Sequence, residues 1–163
     1  MKSVLWIAVM ALLVADPGWA GRRRRPPPPA PAVLAALAFL DARAGASGLL
    51  DSFPEDGADH AYTYDNALAA LAYLSAGDVA AAGDVLDALA AVGPEPKGGF
   101  LHRYRASDGG DASGLLRVGH NAYVLKALVR YAARSGDASH DPLALQIAGY
   151  LLSQQETVDD GTG

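Results

Sequence analysis

No cysteine occurs in the 163 residues, which excludes a disulfide framework, a lipidated cysteine, a thiolate metal site and thiol redox chemistry. Basic residues are scarce outside the N-terminus. Arg22 to Arg25 conceal an acidic body: residues 32–163 carry 8 Lys+Arg against 17 Asp+Glu, net −9, while the whole chain is −5. Such a surface lacks the basic footprint of a nucleic-acid binder. GxSxG, HExxH and a phosphate-binding glycine loop are all missing, so serine hydrolase, zincin and nucleotide-dependent chemistry have no support. Neither a metal site nor an organic cofactor is expected. The apolar run from Val4 to Ala15 is shorter than the roughly 20 residues that a membrane-spanning helix needs.

What is present at the N-terminus has the parts of a secretory signal. Lys2 precedes the apolar run, and Gly18 and Ala20 are small residues placed for cleavage. Residues 1–20 are therefore expected to direct export to a periplasmic or extracellular location. The four arginines behind the run keep an uncleaved membrane anchor open, because they resemble a cytoplasmic flank. Residues 21–31, GRRRRPPPPAP, form an Arg/Pro-rich linker in which the proline run favours extended polyproline II backbone.

From Ala32 onward apolar residues recur at helical spacing, as at Val33, Leu37, Leu40 and Ala44. Four further helices are predicted, over Thr63 to Ala76, Val79 to Val92, His120 to Ser135 and Pro142 to Gln155. Gly77, Gly93 and Gly136 follow helical runs, where a left-handed C′ residue suits glycine. Asp141 before Pro142 reads as an N-cap, and Asp78 or Thr63 could cap its own helix. The helix after Asn66 is nearly all alanine and leucine and is expected to be buried. Lys126, Arg130 and Arg134, four apart, mark a solvated face on a later one.

The segments repeat. Tyr64-Asp65-Asn66-Ala67 opens a helix ending in Gly77-Asp78, and Gly119-His120-Asn121-Ala122 opens one ending in Gly136-Asp137, at offsets of 55 and 59 residues. Each is followed by a second helix and a Gly-rich turn, so the unit is helix, short turn, helix, long loop. The predicted fold class is all-α, built of repeated antiparallel helical hairpins in one domain over residues 32–163.

Three segments, SFPEDGADHAYTYDNALAALAYLSAGD, VGHNAYVLKALVRYAARSGD and LLSQQETVDDGTG, resemble consecutive pieces of a six-hairpin glycosidase-like α/α-toroid. LLSQQ…DGTG is also similar to the repeat edges of terpenoid-cyclase-like toroids. The resemblance implies an incomplete toroid arc, with the long loops at one end of the inner helices forming a sugar-binding cleft. Six hairpins of this period would need more than twice the 132 residues from Ala32 to Gly163. About two and a half hairpins are therefore expected, as the N-terminal part of a longer protein or a truncated gene product.

Glycoside hydrolysis needs two carboxyl groups flanking the scissile bond. The stretch from Asp51 to Asp65 supplies Asp51, Glu55, Asp56, Asp59 and Asp65, with His60, Tyr62 and Tyr64 able to hydrogen-bond and stack on sugar rings. In the toroid reading Asp65, at the cleft end of an inner helix, is the candidate acid or base. A first-turn carboxylate also suits the helix dipole. Asp56, Asp59, Tyr62, Tyr64, Asn66 and Tyr104 are candidate substrate contacts. His120 and Asn121 join them by repeat alignment with Asp65 and Asn66, although polar residues also serve as plain helix starts. Glu55 could instead close a capping box with Ser52. The loop from Ser107 to Gly114 lacks the acidic spacing of an EF-hand and reads as a flexible turn. The expected function is a carbohydrate-active protein that processes a glycan. A non-catalytic helical repeat module binding a cell-envelope partner is the alternative.

Overall fold

The structure is a computed structural model describing residues 30–155, apart from the side chain of Asp56. The expected signal segment, most of the Arg/Pro linker and the Asp160 to Gly163 turn lie outside the described residues.

Five α-helices dominate the described residues: α1 (Pro31–Asp41), α2 (Thr63–Ala76), α3 (Val79–Val92), α4 (Val118–Ser135) and α5 (Asp141–Ser153). A 3-10 turn spans Pro54–Asp56. Strands β1 (Ala61–Tyr62) and β2 (Arg103–Tyr104) pair antiparallel, with Ala61 opposite Tyr104 and Tyr62 opposite Arg103. The described residues are thus mostly helical with one small two-stranded sheet, which the all-α expectation did not include.

Local chemistry sets the limits of α2 and α3 at the expected residues. Gly77 closes α2 in the left-handed region at φ 87°, and the Asp78 carboxylate accepts the Ala81 N–H at 3.1 Å to cap α3. Other boundaries move. α1 stops at Asp41 rather than near Ala44, because Ala44 bridges to Leu50 and the Arg43 carbonyl accepts the Asp51 N–H at 2.8 Å. α4 starts at Val118, ahead of His120. The N-cap of α5 is His140 rather than Asp141, and its ring turns away to meet Asp87 on α3 at 2.9 Å. Thr63 caps nothing; its buried hydroxyl donates to the Leu101 carbonyl.

The core centres on α2, as its small residues predict. Ala67, Ala70, Leu71 and Leu74 are buried against α3 (Ala82, Val85, Leu86, Leu89) and α4 (Val124, Ala127, Leu128), while α5 packs on α4 through Ala144 and Ile147. Alanines on the facing surfaces let the axes come close. Lys126, Arg130 and Arg134 on α4 are exposed. α1 buries none of its residues and is tied to α2 by the Tyr73 hydroxyl, which donates to Asp41 at 2.6 Å. Among the described residues no helix is long and apolar enough to cross a membrane.

Candidate ligand cleft

α2 and α4 begin side by side, and the two long loops, 42–62 and 93–117, meet at those starts. Two asparagines hold them there. Asn66 accepts the Leu50 N–H at 2.8 Å and donates to the carbonyls of Leu50 (3.2 Å) and Tyr62 (3.0 Å). Asn121 accepts the Phe100 N–H at 2.7 Å and donates to the carbonyls of Phe100 (3.0 Å) and Arg117 (2.9 Å). Each amide thereby pins one loop peptide to its helix, satisfying groups that burial would otherwise leave unpaired. The Thr63 N–H adds a bond to the His102 carbonyl at 3.1 Å.

Above this scaffold runs a continuous chain of rings. Phe53 meets Tyr62 edge-on at 5.8 Å between centroids, and Tyr62 meets His102 at 4.8 Å. His102 meets His120 at 4.7 Å, His120 meets Tyr64 at 5.6 Å, and Tyr64 meets Tyr123 at 4.8 Å. His60 lies edge-on to Tyr62 at 6.1 Å. Arg103 donates to the Tyr62 hydroxyl at 3.3 Å and is anchored by the Ala112 carbonyl at 2.9 Å. Tyr62, Tyr64, His102 and His120 are each half-buried. Burial foremost holds both imidazoles below their ordinary value of 6.5, and the neighbouring Arg117 acts in the same direction. The Tyr123 hydroxyl beside Tyr64 foremost raises its phenol.

Adjoining the ring chain at Phe53 is a cleft of about 380 Å³ between the end of α1 and the 50–55 loop, lined by Phe39, Arg43, Asp51, Phe53, Glu55 and Asp65 among others. Arg43 stacks on Phe39 at 3.9 Å and pairs with Glu55 at 2.6 Å, which holds the Glu55 carboxyl below its usual range. Asp51 turns back to accept the Phe53 N–H at 3.0 Å. The Asp65 carboxylate makes no hydrogen bond or ion pair among the described residues. A carboxylate with vacant lone pairs, beside exposed Phe39 and Phe53, can accept ligand hydroxyl protons while a phenyl face covers an apolar ring face.

The candidates read from sequence divide accordingly. Asp65 lies in the cleft; Tyr62, Tyr64 and His120 lie in the ring chain. Three others are corrected. Asn66 and Asn121 are 1% and 0% exposed, and both N–H groups of each amide already serve backbone carbonyls. Tyr104 is 3% exposed; its hydroxyl accepts the Leu101 N–H at 2.9 Å, and burial pushes its phenol up to about 12. These three build the scaffold. Asp59 braces the loops by accepting the Ser107 N–H at 2.9 Å and the Ser107 hydroxyl, which lowers its carboxyl. Asp56 lies on the 3-10 turn, and its side chain lies outside the described residues. Glu55 forms no capping box, because Arg43 takes it and the Ser52 hydroxyl accepts the Tyr62 N–H at 3.0 Å.

Sequence reasoning missed Phe39, Arg43, Phe53, Arg103 and Tyr123. Tyr123 had a signal, since i and i+3 share a helix face with His120. The others had none, because Phe39 and Arg43 reach the site through the way α1 and the chain after it pack, Phe53 through its loop and Arg103 through β2. The loop from Ser107 to Gly114 is held by its own carboxylates: Asp108 pairs with Arg105 at 2.9 Å, and Asp111 accepts the N–H groups of Ser113 and Gly114. Compared with known proteins, the chain matches no family model, no curated protein and no solved structure.

Proposed function

We propose that this chain is a carbohydrate-active protein that takes a glycan in the cleft at the starts of α2 and α4, with Asp65 as the acid or base acting on it. Asp65 carries the reading: of the cleft carboxylates, it alone has no side-chain hydrogen bond or ion pair among the described residues, and it lines the cleft next to the ring chain. The toroid-arc reading belongs with it. It is supported by two central helices, α2 and α4, packed on each other, each followed by a further helix, with long loops gathered where both begin.

One observation favours a second reading, a module that binds a glycan without cleaving it. Hydrolysis draws on two carboxyl groups, and here Glu55 is engaged by Arg43 and Asp51 by the Phe53 N–H. Calorimetric titration with cellohexaose, xylohexaose and laminarihexaose, together with product analysis, tests both. At least one oligosaccharide is expected to bind, and Phe53→Ala to weaken it by about tenfold, the order of one lost stacking contact. Binding without products supports the module. Absence of binding to all three, or equal binding by Phe53→Ala, sinks the cleft assignment.

A further inference from the structure

We propose that His102 and His120 form a proton-operated latch on the ring chain, closed while the pair holds at most one extra proton and opened when both imidazoles are protonated. Its effect on ligand affinity rests on the reading of this surface as the glycan site; the latch itself does not.

The geometry is specific. The two Nδ1 atoms lie 3.3 Å apart. One nitrogen must donate and the other accept, which a neutral pair or a singly protonated pair can satisfy. Two imidazolium rings present N–H to N–H, with like charges at contact distance. The surrounding groups add to the conflict. β2 contributes Arg103, which acts on His102, the residue before α4 is Arg117, and among the described residues the carboxylate acting on both rings is Asp65 of α2; Tyr62 lies against His102 and Tyr64 against His120, with Tyr123 behind Tyr64. Two cations against one anion oppose the second proton, as does burial.

Backbone movement is a costly escape. The His102 N–H donates to the Leu115 carbonyl at 2.6 Å, and its carbonyl accepts the Thr63 N–H at 3.1 Å. His120 sits in the first turns of α4, next to Asn121, whose amide is bound to Phe100. Side-chain rotation is the remaining route. Both rings rest on tyrosines of the candidate site, His102 on Tyr62 and His120 on Tyr64. Opening the latch therefore moves the surface against which a ligand would lie.

The test is an imidazole NMR titration of the full chain, with near-ultraviolet circular dichroism followed in parallel. The expected result is two separated steps for the pair, the second well below 6.5, with the tyrosine signal changing at that second step while the helical far-ultraviolet signal holds. In His120→Gln, which keeps a neutral hydrogen-bonding side chain, His102 should titrate in one step and the tyrosine change should disappear. His102→Gln provides the reciprocal variant if the first does not fold. Independent single-site titrations with a flat tyrosine signal overturn the latch, as does a tyrosine change that persists in both variants. Cellohexaose titrated above and below the second step separates the two readings. Affinity that falls at least tenfold in the parent and stays level in His120→Gln supports the latch. A working latch in a chain that binds no oligosaccharide removes the glycan reading alone, while pH-independent binding without a second step removes the latch alone.

Discussion

Asn66 holds the Leu50 peptide in the same way that Asn121 holds the Phe100 peptide: each amide takes the peptide's N–H and returns a bond to its C=O, then spends its last N–H on the carbonyl four residues back. The hairpin repeat is thus also a repeat of one loop-to-helix joint. Replacing either residue by alanine leaves a buried N–H and C=O unpaired, and we expect each variant to lose about 2–4 kcal/mol, the cost of stranding one or two buried polar groups. Denaturant melts of Asn66→Ala and Asn121→Ala check this. A loss below about 0.5 kcal/mol, the range of an uninvolved surface change, would contradict the joint.

The loop after α1 is seated at Gly45. A Cβ there would fall 2.2 Å from the Ala106 carbonyl oxygen, which also accepts the Ser47 hydroxyl at 2.7 Å. Gly45→Ala must displace backbone, and we expect destabilisation of about 1–3 kcal/mol, the cost of overpacking, or more. Gly119, in the first turn of α4, meets nothing within 4 Å, so Gly119→Ala should stabilise by about 0.5–1 kcal/mol. Thermal melts of the two variants should move in opposite directions.

Tyr104 makes stability depend on alkaline pH. Burial raises its phenol from 10.0 to about 12 in the folded chain, whereas the unfolded chain ionises near 10. The folded state binds the proton more tightly, so this contribution is fully present below pH 10 and lost as pH rises through 12. Melts from pH 9 to 12 should show a decline that is smaller in Tyr104→Phe. The same substitution strands the Leu101 N–H at neutral pH, at a cost of about 1–3 kcal/mol.

What could be read ahead of the structure follows the range of the interactions. The limits of α2 and α3 depend on Gly77, Asp78 and Gly93, which act within one turn, and they fall where expected. The end of α1 depends on Arg43 and Ala44 pairing with Asp51 and Leu50, and helical periodicity overshoots it. Repeat alignment marked Asn66 and Asn121 as equivalent but suggested ligand contacts. Their actual partners lie 16 and 21 residues earlier in loops without a regular pattern. The burial of Tyr104 was not legible for a related reason, since a tyrosine outside the periodic helical runs carries no sign of whether its hydroxyl meets solvent or the Leu101 N–H. The place of Asp65 in the first turn of α2 was legible because the limits of that helix are set locally. The Phe39 and Arg43 wall opposite it depends on how α1 lies against α2.

Asp65→Asn separates the role of this carboxylate in the fold from its role in chemistry. Its carboxylate makes no hydrogen bond or ion pair among the described residues, and loss of one first-turn charge is worth about 0.3–1 kcal/mol. A general acid or base contributes on the order of 10² to 10⁴ in rate, and an amide cannot exchange the proton. Oligosaccharide turnover by the parent and by Asp65→Asn should be measured beside their thermal melts. The account expects turnover to fall by at least about 10² with melts that nearly coincide. Equal turnover in the two proteins, or no turnover of any glycan by the parent, would contradict a catalytic Asp65.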